Sequence, residues 1–127
     1  MRILIAEDSE LNFEMLAEYF SIGGHELSWA RDGDQAITSL EGGNFDLLLL
    51  DLHMPRVDGL TVLKWLREAR EKSEMKAIVL TADDSKGIRD ESLALGAAAF
   101  LTKPLDLKQL ATAIKEVTGT EAGWSSD

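Results

Sequence analysis

Short apolar runs alternate with helix-period segments five times along these 127 residues. That alternation restricts the fold most, because repeated strand–helix units close readily as a parallel sheet with helices on both faces. The first run is Ile3-Leu4-Ile5-Ala6. Asp8-Ser9 follow, and Ser9 suits the N-cap of a helix whose Leu11, Met15, Leu16, Tyr19 and Phe20 are expected inward, with Gly23-Gly24 ending it. Residues 25–30 read as a second, half-exposed strand. Asp32-Gly33 lead into a helix with Ala36, Ile37 and Leu40 inward, closed by Gly42-Gly43.

Leu47 to Leu50 form the most apolar run, between Asp46 and Asp51. Leucines without alternation fit a strand buried on both faces. Periodicity alone does not separate that from a buried helical turn, but brevity and flanking acids favour the strand. After a loop over 51–57, Asp58 caps a helix bearing Leu60, Leu63, Leu66 and Ala69, and Arg67 to Lys76 read as a solvated, mixed-charge helix end. Ala77 to Leu80 are the fourth strand. Residues 85–95 are the weakest helix, with Gly87 inside and Ile88, Leu95 and Leu93 as its few apolar positions. Ala97 to Leu101 are the fifth strand. Asp106 caps a last helix with Leu107, Leu110, Ala111, Ile114 and Val117 on one face, ended by Gly119.

The expected fold is α/β, a doubly wound five-stranded parallel sheet with five helices. Order 2-1-3-4-5 is expected, though the strand pattern alone does not fix it. Residues 1–119 are expected to form one domain and 120–127 a flexible C-terminal tail.

Charge and composition narrow the function. Thirteen Lys and Arg against 23 Asp and Glu give a net charge of −10, without a basic patch, so direct nucleic-acid or anionic-membrane binding is not expected. The absence of cysteine excludes disulfides, thiolate metal sites and Cys nucleophiles. No apolar run approaches spanning length and the start lacks a signal-peptide pattern, so the expectation is a soluble, cytoplasmic protein.

In open α/β sheets the site lies at the carboxyl ends of the strands. Glu7 and Asp8 follow the first strand, Asp51 the third, Thr81 the fourth and Lys103 the fifth. With strands 1 and 3 adjacent, three carboxylates share one mouth with a hydroxyl and an ammonium. Such carboxylates need a raised pKa or a bound cation. Mg²⁺ suits them, whereas His25 and His53 alone make zinc or copper a poor fit. A carboxylate beside Mg²⁺ can attack phosphorus and become an acyl phosphate, while Lys103 and Thr81 contact phosphoryl oxygens.

This set resembles the receiver domain of two-component response regulators, over residues 1 to about 118. The residues that carry the likeness are Glu7-Asp8, Asp51, Met54-Pro55 with Asp58-Gly59, Thr81-Ala82 and Lys103-Pro104. The resemblance implies a flavodoxin-like fold with Asp51 as phosphoacceptor. It implies Mg²⁺ held by Glu7, Asp8, Asp51 and the His53 backbone carbonyl. The phosphoryl group would be stabilised by Thr81, the Ala82 backbone N–H and Lys103. Thr81 and Phe100 would be the switch pair, Phe100 turning inward on phosphorylation, and Lys103–Pro104 a cis peptide. Such a domain is not an enzyme. It takes its phosphoryl group from a histidine kinase or histidine phosphotransfer protein and then binds a downstream protein through its fourth helix, fifth strand and fifth helix. Glu7 stands where Asp is more usual, and Phe100 replaces the commoner Tyr. His53 and Asp83 occupy the two positions that tune hydrolysis. The chain would be a stand-alone receiver or a piece of a hybrid kinase or larger regulator, with the Met before the first strand favouring a natural start.

Taken singly, each residue has a plainer reading: Asp51 as a solvated strand-end acid, Glu7-Asp8 as a turn, Thr81 as a loop cap, Lys103 and His53 as surface residues, Phe100 as an edge-strand aromatic packed on the last helix. The set in order outweighs them. A phosphorylation-independent interaction module with the same fold is the main alternative. A haloacid-dehalogenase-type phosphatase would want Asp where His53 stands, and a flavodoxin-like cofactor binder would find Glu7-Asp8-Ser9-Glu10 repelling its phosphate.

Overall fold

The computed structural model describes residues 1–54, 56–69 and 75–120. Pro55, residues 70–74 of the mixed-charge stretch, and residues 121–127 with Trp124 lie outside the described residues. In chain order the elements are β1 (Arg2–Ala6), α1 (Glu10–Phe20), β2 (Glu26–Ala30), α2 (Gly33–Gly42) and β3 (Leu47–Asp51), then α3 (Gly59–Glu68), β4 (Lys76–Thr81), α4 (Lys86–Ala94), β5 (Ala99–Thr102) and α5 (Leu107–Thr118). The strands form one parallel sheet in the order β2-β1-β3-β4-β5, so the chain reverses its winding between β1 and β3. No helix among the described residues is long and apolar enough to cross a membrane.

Strand alternation divides the core in two. Leu4, Ala6, Leu48, Leu50, Val79 and Phe100 face the side covered by α2, α3 and α4. Ile3, Ile5, Leu47, Leu49, Ile78 and Leu80 meet Leu16, Tyr19 and Phe20 of α1 and Leu110, Ala113 and Ile114 of α5 on the other. The four leucines of β3 are buried because both faces of this central strand are covered. Aspartates or serine start four helices: Ser9, Asp32, Asp58 and Asp106 each accept a first-turn backbone N–H. Each such cap is worth about 1 kcal/mol.

Two apolar positions of α1 expected inward are exposed. Leu16, Tyr19 and Phe20 define the buried stripe of α1, and Met15 lies roughly 100° round the helix from Leu16, with Leu11 further still. Leu11 is 75% exposed and Met15 38%. Leu93 is likewise exposed on α4, where the buried position is Ser92, its hydroxyl donating to the Ile88 carbonyl at 2.8 Å. Phe100 does not pack on the last helix: its neighbours Ala99 and Leu101 take that face, and strand parity sends Phe100 to the opposite one, beside Ile88 and Leu95.

The loops at the carboxyl end depend on two glycines. A Cβ at Gly33 would run into the Val57 backbone carbonyl, and one at Gly59 would lie 2.7 Å from the Leu52 Cα and 2.8 Å from the Asp51 carbonyl oxygen. Gly87, in α4, has open space around its Cβ position. Gly33→Ala is expected to cost about 1–3 kcal/mol through overpacking. Gly87→Ala should instead add up to about 1 kcal/mol by removing backbone freedom from the unfolded chain. Urea midpoints at unchanged m-value check both.

Candidate functional site

The parallel register brings the ends of β1, β3, β4 and β5 to one mouth. Ala6 pairs with Leu50, Asp51 with Leu80 and Thr81 with Thr102. Glu7, one residue beyond β1, therefore stands beside Asp51, the last residue of β3. They are 2% and 6% exposed, and Thr81 is fully buried. Asp8 points to solvent at the rim. Carboxylate oxygens of Glu7, Asp8 and Asp51 all lie within 4.8 Å of one another. Lys103 follows β5, its backbone N–H donating to the Thr81 carbonyl at 2.7 Å. Its Nζ donates to Glu7 Oε1 at 2.5 Å and to Asp51 Oδ2 at 3.1 Å. The Lys103–Pro104 peptide is cis.

Backbone donors hold the remaining oxygens. The His53 N–H reaches Asp51 Oδ1 at 3.0 Å, and the Ser9 N–H reaches Glu7 Oε2 at 3.3 Å. The Asp83 N–H donates to Thr81 Oγ1 at 3.2 Å, and the Ser85 N–H to Asp83 Oδ1 at 3.0 Å. That last bond is the main reason the Asp83 carboxyl sits below its usual range. Burial would push the Lys103 ammonium down, but its hydrogen bonds and charge pairing with Glu7 and Asp51 outweigh it and hold the group above its usual value. Asp8 goes up, first through partial desolvation and then through its proximity to Glu7.

Three carboxylates facing one ammonium leave the mouth negative. Its clustered donors are oxygens alone, without cysteine or a histidine ring, and this suits a hard divalent cation. Glu7, Asp8 and Asp51 are the residues that could hold it.

Glu7, Asp8, Asp51 and Lys103 are thus brought together, and Thr81 lines the next strand end. Phe100 is separate, 7% exposed in the core under α4, with the Arg89 guanidinium 5.1 Å from its ring centroid. Two contributors escaped sequence reasoning. The Ser9 backbone N–H serves Glu7 as well as the residue serving as cap. Trp29 donates from its indole to the Glu7 carbonyl at 2.7 Å, and a half-buried tryptophan on the α1 face of an edge strand carries no pattern that signals this.

Comparison with known proteins agrees with this geometry. The model of the response regulator receiver domain family matches residues 3–115. The response regulator PleD of Caulobacter vibrioides is 34% identical over 117 residues, covering 92% of this chain, which spans only 26% of PleD. The polar-differentiation response regulator DivK of Brucella ovis is 31% identical over 117 residues, covering 92% of this chain and 95% of DivK. Among solved structures, the Mn²⁺-bound form of response regulator Rcp1 superposes with a TM-score of 0.78 at 30% identity, covering 93% of this chain and 89% of Rcp1. The buried acids at the switch point of the sheet and these likenesses lead to one conclusion: the chain belongs to the response regulator receiver family, signalling phosphoacceptors of two-component systems rather than enzymes.

Proposed function

We propose that the chain is a Mg²⁺-dependent phosphoacceptor in a two-component phosphorelay, with Asp51 as the acceptor. The observation that carries this is the Lys103 ammonium bridging buried Glu7 and Asp51 beside Asp8. By this reading Glu7, Asp8, Asp51 and the His53 backbone carbonyl hold the cation. When bound, it supplies the positive charge that lets an anionic carboxylate approach an anionic phosphoryl group. The Mn²⁺-bound state of Rcp1 is in keeping with a divalent cation here.

An Asp51 carboxylate oxygen forms a bond to phosphorus as the P–N bond of a partner's phosphohistidine breaks, and the imidazole leaves with that electron pair. An ammonium has three N–H groups; two of Lys103's serve Glu7 and Asp51, and the third is available to a phosphoryl oxygen. Thr81 Oγ1 accepts from Asp83, so its own proton can be donated to a second oxygen, with the Ala82 N–H serving another. Drawing Thr81 toward the phosphoryl group pulls on the loop entering α4. That helix buries only Ser92 and lacks a side-chain cap bond, so it is the element most easily moved. Phe100 lies beneath it. We infer that phosphorylation remodels the surface of α4, β5 and α5 for a downstream protein, with a histidine kinase or phosphotransfer protein as donor and the cytoplasm as the setting.

Incubation with acetyl phosphate and Mg²⁺ should add one phosphoryl group by intact mass, lost with EDTA or in Asp51→Asn. No adduct, together with no binding of Mg²⁺ or beryllofluoride, would leave a binding module that keeps the fold without the chemistry. Hydrogen exchange with beryllofluoride bound should change in α4, β5 and α5; identical protection in the two states would count against the switch. A third expectation concerns Asp8. Its pKa is raised above the ordinary 3.8, so the folded chain disfavours the charged form, a penalty absent below that value and complete above the folded-state pKa. Without divalent cations, Asp8→Asn should therefore be slightly more stable than wild type at neutral pH. Solvent screening keeps the gain below about 1 kcal/mol, and it fades as pH falls through the raised pKa. Mg²⁺ at about 100 times its Kd should stabilise wild type by about 2.7 kcal/mol and the variant by less. Denaturation midpoints against pH and Mg²⁺ check the sign.

A further inference from the structure

The peptide joining Glu7 to Asp8 is held by a side chain outside the charged cluster. Trp29 lies in β2 and pairs with Ile5 across the sheet. Its indole Nε1–H donates to the Glu7 carbonyl oxygen at 2.7 Å, while the Glu7 N–H donates to the Ala30 carbonyl at 3.0 Å. Both backbone polar groups of Glu7 are thus tied to β2, one by continuation of the strand ladder and the other by an indole. The carbonyl belongs to the peptide plane between two of the three clustered acids, so rotating that plane would displace Glu7 and Asp8 together.

The indole is itself fixed. The Phe13 ring of α1 stacks on it with centroids 4.3 Å apart and planes 5° from parallel. The Arg31 guanidinium lies 4.4 Å from its ring centroid. These contacts come from two further segments, α1 and the loop after β2, and both restrain the direction of the N–H. A tryptophan that merely covered an edge strand would need neither a clamped ring nor a bond into the acidic turn.

We propose that Trp29 is a positioning residue for the divalent-cation site, orienting the Glu7–Asp8 peptide so that both carboxylates face the cation with Asp51. This rests on the reading of those three acids as the cation site. Groups that orient ligands from behind typically contribute 10–100-fold to metal affinity.

The test is Trp29→Phe, which keeps a ring for Phe13 and Arg31 and removes the donor. Its Mg²⁺ Kd, measured by calorimetry, should rise about tenfold, at the low end of that range. In the ¹⁵N-labelled wild-type chain, the Trp29 indole N–H signal, assigned by its contacts to Phe13, should shift on saturation with Mg²⁺. A Trp29→Phe protein that binds Mg²⁺ with the wild-type Kd overturns the proposal. Should that variant not fold, an indole signal that stays still while the Asp8 amide moves overturns it equally. Wild type that binds no Mg²⁺ removes both this role and the phosphoacceptor reading, whereas wild-type binding with an unaffected variant removes the positioning role alone.

Discussion

Two neighbouring carboxylates, Glu7 and Asp51, are each less than a tenth exposed. Side by side and largely dry, they repel each other and each has lost hydration; an ammonium between them offsets both costs. That ammonium comes from a residue 96 positions from Glu7 and 52 from Asp51. The site therefore exists only where the whole sheet is correctly ordered. A one-residue slip in the β1–β3 pairing would send every side chain of β1 to the wrong face, breaking the apolar division and the charge cluster together. Fold and site are one constraint: the register that buries Leu48 and Leu50 against α2 and α3 also sets Glu7 beside Asp51.

Anchoring is uneven around that rigid centre. α5 buries Leu110, Ala113 and Ile114 and ends in a left-handed Gly119, and α3 buries Val62, Leu63 and Leu66. α4 has half-buried Ile88 and Leu95 at its margins, and the Arg67 guanidinium grips its last turn by donating to the Ala94 carbonyl at 2.6 Å. Apolar burial is the largest favourable term in holding a helix to a sheet, so the helix with the least of it opens at the lowest free energy. The helix with the fewest apolar anchors thus adjoins Thr81, the hydroxyl on the strand end that leads into it, while the acids stand at the ends of the fully covered strands β1 and β3.

The sequence was most legible where one physical signal decided the outcome. The leucines of β3, the acids at strand ends and the capping residues Ser9, Asp58 and Asp106 each follow from burial, topology or an unpaired first-turn N–H. It was less legible where two helical faces competed: Leu11 and Met15 are as apolar as Leu16, and only the position of the sheet tells which stripe faces inward. Phe100 shows the same effect in a strand, since its face follows from parity with Ala99 and Leu101. Trp29 was illegible for a different reason. Its bond joins the end of β2 to the turn after β1, a pairing 22 positions apart that no local spacing encodes.

The sheet ends in short margins. β5 presents four residues and β2 five, and β2 begins with Glu26, which is exposed and paired with Arg2 at 3.0 Å. Short, charge-bearing edges offer little template for another strand, and a net charge of −10 adds repulsion between copies at low ionic strength. Copies of this chain are thereby discouraged from joining edge to edge into a continuous sheet.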